Sequence, residues 1–180
     1  MPENVEIKAR IASRELIRNR INSFSDAPSK ILHQTDTYFS VPAGRLKIRE
    51  FNNRSAELIY YRRPDSAQPS VSTYYRQELF HPEYYGLLLQ SLYPVRGVIR
   101  KVRQVFLFGH TRIHLDRVES LGDFLELEVV LDSEQTITDG NLIAQNLLTQ
   151  LQIPEETLLS ESYIDLLERK KSRGHQSNYQ

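Results

Sequence analysis

Cysteine is absent from the 180-residue chain. That removes disulfides, zinc–thiolate centres and thiol nucleophiles together, and it is compatible with a reducing compartment. Net charge is absent too, because 23 basic residues balance 23 acidic ones. The total therefore gives no ground for a nucleic-acid polymer or an anionic membrane as partner, and any charge argument must come from distribution. No apolar run approaches the roughly 18 residues of a membrane span, and the first residues are charged instead of forming an apolar leader. The expectation is a soluble, cytoplasmic protein. A chain of this length buries a core without covalent or metal staples, so a single domain over residues 1–170 is expected, with a polar, disordered tail over 171–180.

What is present is alternation. Across Phe124–Val130 a strand would place Glu126 and Glu128 on one face and Leu125, Leu127 and Val129 on the other. Carboxylates two residues apart on a strand sit about 7 Å from each other and repel unless water, basic side chains or a metal compensates them. Four other segments alternate in the same way: 4–11 with Glu6 and Lys8, 45–49 with Arg45, Lys47 and Arg49, 98–108 with Lys101 and Arg103, and 111–119 with Arg112, His114 and Asp116. Segments 31–39, 56–63 and 71–79 read as further strands, with Arg63 in phase with Tyr61 and residues 64–70 forming a Pro/Ser loop. Helices are expected after Ser13 (Ile17, Ile21, Phe24), after Pro82 (Tyr85, Leu88, Leu89, Leu92), from Asp139 (Ile143, Leu147, Leu151) and after Ser160 (Tyr163, Leu166, Leu167). About eight strands joined mostly by short turns make an α+β protein with a mainly antiparallel sheet and flanking helices. Periodicity alone leaves open whether the sheet closes into a barrel.

Any one charged strand face reads equally well as the wet side of a half-buried sheet. Taken together, cations dominate some strands while carboxylates gather on others, which favours a ligand carrying both phosphate and metal. If the faces converge, Lys8, Arg45, Lys47, Arg49, Arg63, Lys101, Arg103 and Arg112 surround a polyanion. Glu6, Asp116, Glu126 and Glu128 then make sense as oxygen ligands for a hard cation, Mg2+ or Mn2+.

These residues, in this order, resemble the CYTH or triphosphate-tunnel family. The resemblance covers most of the chain and rests on Asn4–Arg10, Gln34–Phe39, Gly44–Arg49, Lys101–Arg103 and the region from Arg112 to Glu128. It looks closest to the short members similar to class IV adenylyl cyclases. It implies an eight-stranded antiparallel tunnel binding a small-molecule triphosphate, with Glu6 and Lys8 as the catalytic candidates, and it leaves room for a homodimer. The implied reaction is metal-dependent cleavage, with hydrolysis ahead of cyclisation of ATP. One position departs from the family's Glu-x-Glu-x-Lys pattern: Asn4 stands where the first Glu is expected. An amide carries no charge and cannot act as a base, so a binding module without turnover is a third reading. His114 is expected to be a structural hydrogen-bonder and Tyr163 a core residue.

Overall fold

A computed structural model describes residues 3–62, 68 and 70–176 of the chain. Strands β1 (Glu3–Arg10), β2 (Lys30–Phe39), β3 (Arg45–Phe51), β4 (Ala56–Arg62), β5 (Ser70–Leu79), β6 (Val95–Phe108), β7 (Thr111–Val118) and β8 (Gly122–Val130) pair in the order β5-β4-β3-β2-β6-β7-β8-β1, every pairing antiparallel. Pairing of β1 back onto β5, with Val5 opposite Val71, closes the eight strands into a barrel. A two-residue strand, β9 (Leu158–Leu159), adds to β1 beside Lys8 and Ala9. Two residues carry no periodicity, so nothing in the sequence announces β9.

Four helices flank the barrel: α1 (Arg14–Asn22), α2 (Pro82–Leu92), α3 (Ile137–Gln150) and α4 (Tyr163–Gln176). Alternation sorts each strand between two environments. Outward-facing Val5, Ile7, Ala9, Leu125, Leu127 and Val129 form one core with Ile17 and Ile21 of α1 and Ala144, Leu147 and Leu148 of α3. Each Val, Leu or Ile side chain among them contributes roughly 1.5–3 kcal/mol when fully buried. A Cβ at Gly140 would stand 2.7 Å from Val5 and Leu131, so glycine lets α3 sit this close to β1. A second outer core, around Phe39, Ile48 and Leu79, takes Leu89 from α2. The third core lies inside, where β2 and β7 finish and β6 and β8 begin: Tyr163, Ile164 and Leu166 of α4 pack on Tyr38, Ile99, Val118 and Phe124.

Helix boundaries differ from expectation where caps decide them. The start of α3 is set by Thr136, whose side chain accepts from the Asp139 backbone while Asp139 reaches back, so Asp139 closes a capping box instead of opening the helix. Ser162, not Ser160, faces the start of α4: its N–H and hydroxyl both donate to Asp165, at 3.0 and 2.5 Å. Helix α4 continues to Gln176, so residues 171–176 are helical instead of forming a tail, and 177–180 lie outside the described residues. Arg63 and most of the expected 64–70 loop also lie outside them. Among the described residues no helix is long and apolar enough to cross a membrane.

Candidate active site

The inward phase of the strands lines a cavity of about 310 Å3. Among the described residues eight Lys and Arg side chains line it against four carboxylates, so the interior holds excess positive charge. Two more acids, Asp36 and Asp116, stand fully buried behind that lining.

Asp36 organises the β2–β3 side. Arg49 donates to both its oxygens at 2.7 Å, Lys47 donates at 2.8 Å, and Lys101 lies 3.7 Å away. Burial by itself would raise the Asp36 carboxyl, but the charges of Arg49, Lys47 and Lys101 outweigh it and hold it well below the usual carboxylate range. The three cations are thereby fixed on rigid strands. Asp116 does the same two strands away on β7, with Lys101 between the two acids at 3.7 and 3.9 Å, accepting from Arg103 Nε and Nη2 at 2.7 and 2.6 Å and from the Tyr163 hydroxyl at 2.9 Å. Burial, Asp116 and Glu126 push the Tyr163 hydroxyl well above its usual value, so it stays a donor. Its ring lies under Lys8 Nζ, 4.1 Å from the centroid, with Lys101 at 5.1 Å. Tyr163 therefore packs the inner core and also lines the cavity, more than the core role expected of it.

Carboxylates gather where β8 finishes. Glu126 lies 3.4 Å from Arg103, 3.7 Å from Lys8 and 3.6 Å from His114 Nδ1. Glu128 takes two bonds from Arg112, at 2.8 and 2.6 Å, and another from the Asn4 side-chain amide. Asn4 is fully buried, and among the described residues its Oδ1 has no hydrogen-bond partner. Burial and the nearby Arg103 lower the His114 pKa, leaving a neutral ring between the two glutamates. Glu6 lines the cavity and stands opposite Glu128 in the β1–β8 register. Leu32, Phe51 and Val105, on the adjacent strands β2, β3 and β6, form an apolar arc near the same end. Gln34 lines the cavity beside that arc, and among the described residues its Oε1 is unpartnered.

The structure thus brings Glu6, Lys8, Arg45, Lys47, Arg49, Lys101, Arg103, Arg112, Glu126 and Glu128 to one cavity. Asp116 stands apart as an expected metal ligand: it is not among the lining side chains, and Arg103 and Tyr163 occupy its oxygens. Arg45 reaches the cavity but is tied at 2.8 Å to Asp165, which also holds Arg96. Burial opposes, yet the Ser162 hydrogen bonds and these cations bring the Asp165 carboxyl down to about 2. Among the described residues no group of three or more His, Asp and Glu side chains is arranged to hold a metal by itself. The donor chemistry still suits a hard cation: Glu6, Glu126 and Glu128 offer carboxylate oxygens to one cavity, where bound phosphate would supply further oxygens. Sequence reasoning missed Asp36, Glu57, Arg76 and Gln34 as site residues, although Gln34 and Asp36 share the inward phase of Tyr38.

Lys47 gives this site a pH dependence. Burial, helped by the charge of Arg49, pulls its ammonium down to about 8 against the attraction of Asp36. A bound polyanion favours the charged form, so binding above pH 8 should draw in a proton, and affinity for tripolyphosphate should fall by up to about tenfold per pH unit. Calorimetry in buffers of different ionisation enthalpy would report the uptake. Equal heats in all buffers and a flat affinity from neutrality to pH 9.5 would rule it out.

A family model described as the CYTH domain matches residues 2–163. The PH1012 protein of Pyrococcus horikoshii superposes with a TM-score of 0.80 at 28% identity, covering 91% of this chain and 98% of its own. Adenylate cyclase CyaB of Aeromonas hydrophila is 32% identical over 71 residues, 39% of this chain and only 37% of the length of that relative. The Hippeastrum protein HpAC1, described as a candidate adenylyl cyclase with a dominant triphosphatase activity, superposes with a TM-score of 0.67 at 16% identity over 94% of this chain and 96% of its own.

Proposed function

The chain belongs to the CYTH domain family, and on that premise we propose that it binds a triphosphate inside the barrel and cleaves it with a divalent cation. The observation that carries this reading is the positive interior, eight cations against four lining carboxylates, with buried Asp36 and Asp116 fixing the cations in place. Lys8, Lys47, Arg49, Lys101 and Arg103 hold phosphate oxygens and bear the charge that develops as the phosphoryl group transfers. Arg45 and Arg112 lengthen that grip, and Glu6 orients the attacking water beside Lys8. Glu6, Glu126 and Glu128 are the side chains that would hold Mg2+ or Mn2+. The cation would supply charge neutralisation on the phosphates. In the favoured version water attacks the terminal phosphorus and the diphosphate portion leaves, as the name given to the Hippeastrum neighbour also suggests.

A second reading is cyclisation, in which the ribose 3′-hydroxyl of ATP attacks the α-phosphorus and pyrophosphate leaves. It is supported by the apolar arc of Leu32, Phe51 and Val105 beside the unpartnered Gln34 oxygen, which suits an organic group better than bare phosphate, and by the partial match to CyaB. Incubation with tripolyphosphate, ATP and thiamine triphosphate, each with magnesium and then manganese, separates the readings. Released phosphate is the expected product, and cyclic AMP with pyrophosphate would move the assignment to the cyclase. No product from any substrate would leave a binding module, the outcome for which the amide at Asn4 is the motive.

A further inference from the structure

Helix α2 is apolar on nearly every side yet lies on the outside of the barrel, with no residue fully buried. Among the described residues of this segment, Leu89, together with Tyr93 just beyond the helix, packs against the core beneath. Around them Phe80 is 86% exposed, Tyr84 66%, Tyr85 43%, Leu87 66%, Leu88 54%, Leu92 62% and Val95 44%. A helix apolar all round is normally covered. With a large aromatic side chain at about 200 Å2, these seven present on the order of 700 Å2. That exceeds the few hundred Å2 of the largest apolar patch on an ordinary monomer and approaches the roughly 800 Å2 that each partner buries in a standard interface.

We propose that α2 is the interface of a homodimer, in which a second copy of this chain lays its own α2 antiparallel across the first. Tyr84, Leu88 and Leu92 are spaced four apart on one face, so a two-fold axis at Leu88 sets Tyr84 of each copy against Leu92 of the other. Such a stripe complements itself, as an isologous contact requires. The helix carries one charge, Glu83, and no Lys or Arg. It therefore lacks the cations that anchor an amphipathic helix to an anionic bilayer.

Light scattering on the eluting protein should give twice the 21.0 kDa of one chain. Leu88→Asp combined with Leu92→Asp should halve that mass while circular dichroism and tripolyphosphate affinity stay unchanged, and Leu142→Asp, at an exposed site on α3, should keep the dimer. Because the chain has no cysteine, Leu88→Cys offers a second test: mild oxidation should join two copies covalently, whereas Leu142→Cys should form no covalent link between copies. A wild-type monomer, a doubly substituted dimer, or a monomer that sediments with phosphatidylcholine vesicles would each overturn the proposal.

Discussion

Replacing Asp36 with alanine should destabilise the protein by about 3–5 kcal/mol, the usual cost of removing one partner from a buried ion pair. Asp36 is fully buried and is met by Arg49 through two bonds and by Lys47 through a third, with Lys101 close by. The substitution leaves those cations facing one another in the barrel wall. Against a typical total of about 5–15 kcal/mol, the loss should be plain as a lower urea midpoint. Its pH dependence follows from the direction of the shift: the folded carboxyl lies well below its unfolded value. Its stabilisation is therefore complete above the unfolded pKa of about 4 and is lost as pH falls through the folded value, so wild type and variant should converge in acid. Tripolyphosphate should restore more stability to the variant than to wild type, because the added anion replaces the missing charge. A variant within 1 kcal/mol of wild type at neutral pH, or one that tripolyphosphate does not rescue, would show that the cations need no internal counter-ion.

Most of the barrel was legible because strand alternation is a strong signal where one face is greasy and the other charged. The segments at 4–10, 45–49, 98–103, 112–118 and 124–130 put Lys8, Lys47, Arg49, Lys101, Arg103, Glu126 and Glu128 on one side, and that side is the cavity wall. Closure was not legible from periodicity, since it depends on β1 finding β5 more than sixty residues away, and a strand's side-chain pattern does not name its neighbour. The role of Asp36 was hidden for a related reason. An acid between two threonines looks like a solvated strand residue until the register sets Asp36 opposite Arg49 and Tyr38 opposite Lys47. Asp116 was read correctly as inward, but its sequence neighbours do not reveal that Arg103, its β6 partner, and Tyr163 from α4 would take its oxygens.

That distinction between Asp116 and Glu126 leads to the second large effect. On the proposed function, Glu126→Gln should lower metal-dependent turnover by about 100-fold or more, as removal of a charged group from a transition-state clamp does. It should also weaken Mn2+ binding, read by paramagnetic resonance of the free ion in the presence of tripolyphosphate. The fold should survive, because among the described residues Glu126 makes only longer side-chain contacts, 3.4 Å to Arg103, 3.6 Å to His114 and 3.7 Å to Lys8, while Arg103 keeps its two short bonds to Asp116. Asp116→Asn should behave in the opposite way. With one oxygen replaced by an amide, Arg103 loses its bidentate carboxylate, so tripolyphosphate affinity and stability fall while Mn2+ affinity of the nucleotide-free protein changes little. Asp116 is then a positioning residue for Arg103, and the metal depends on Glu6, Glu126 and Glu128. Should Asp116→Asn abolish Mn2+ binding while Glu126→Gln spares it, the two acids would have to exchange roles. Wild-type turnover and Mn2+ binding in Glu126→Gln would remove the β8 carboxylates from the chemistry altogether.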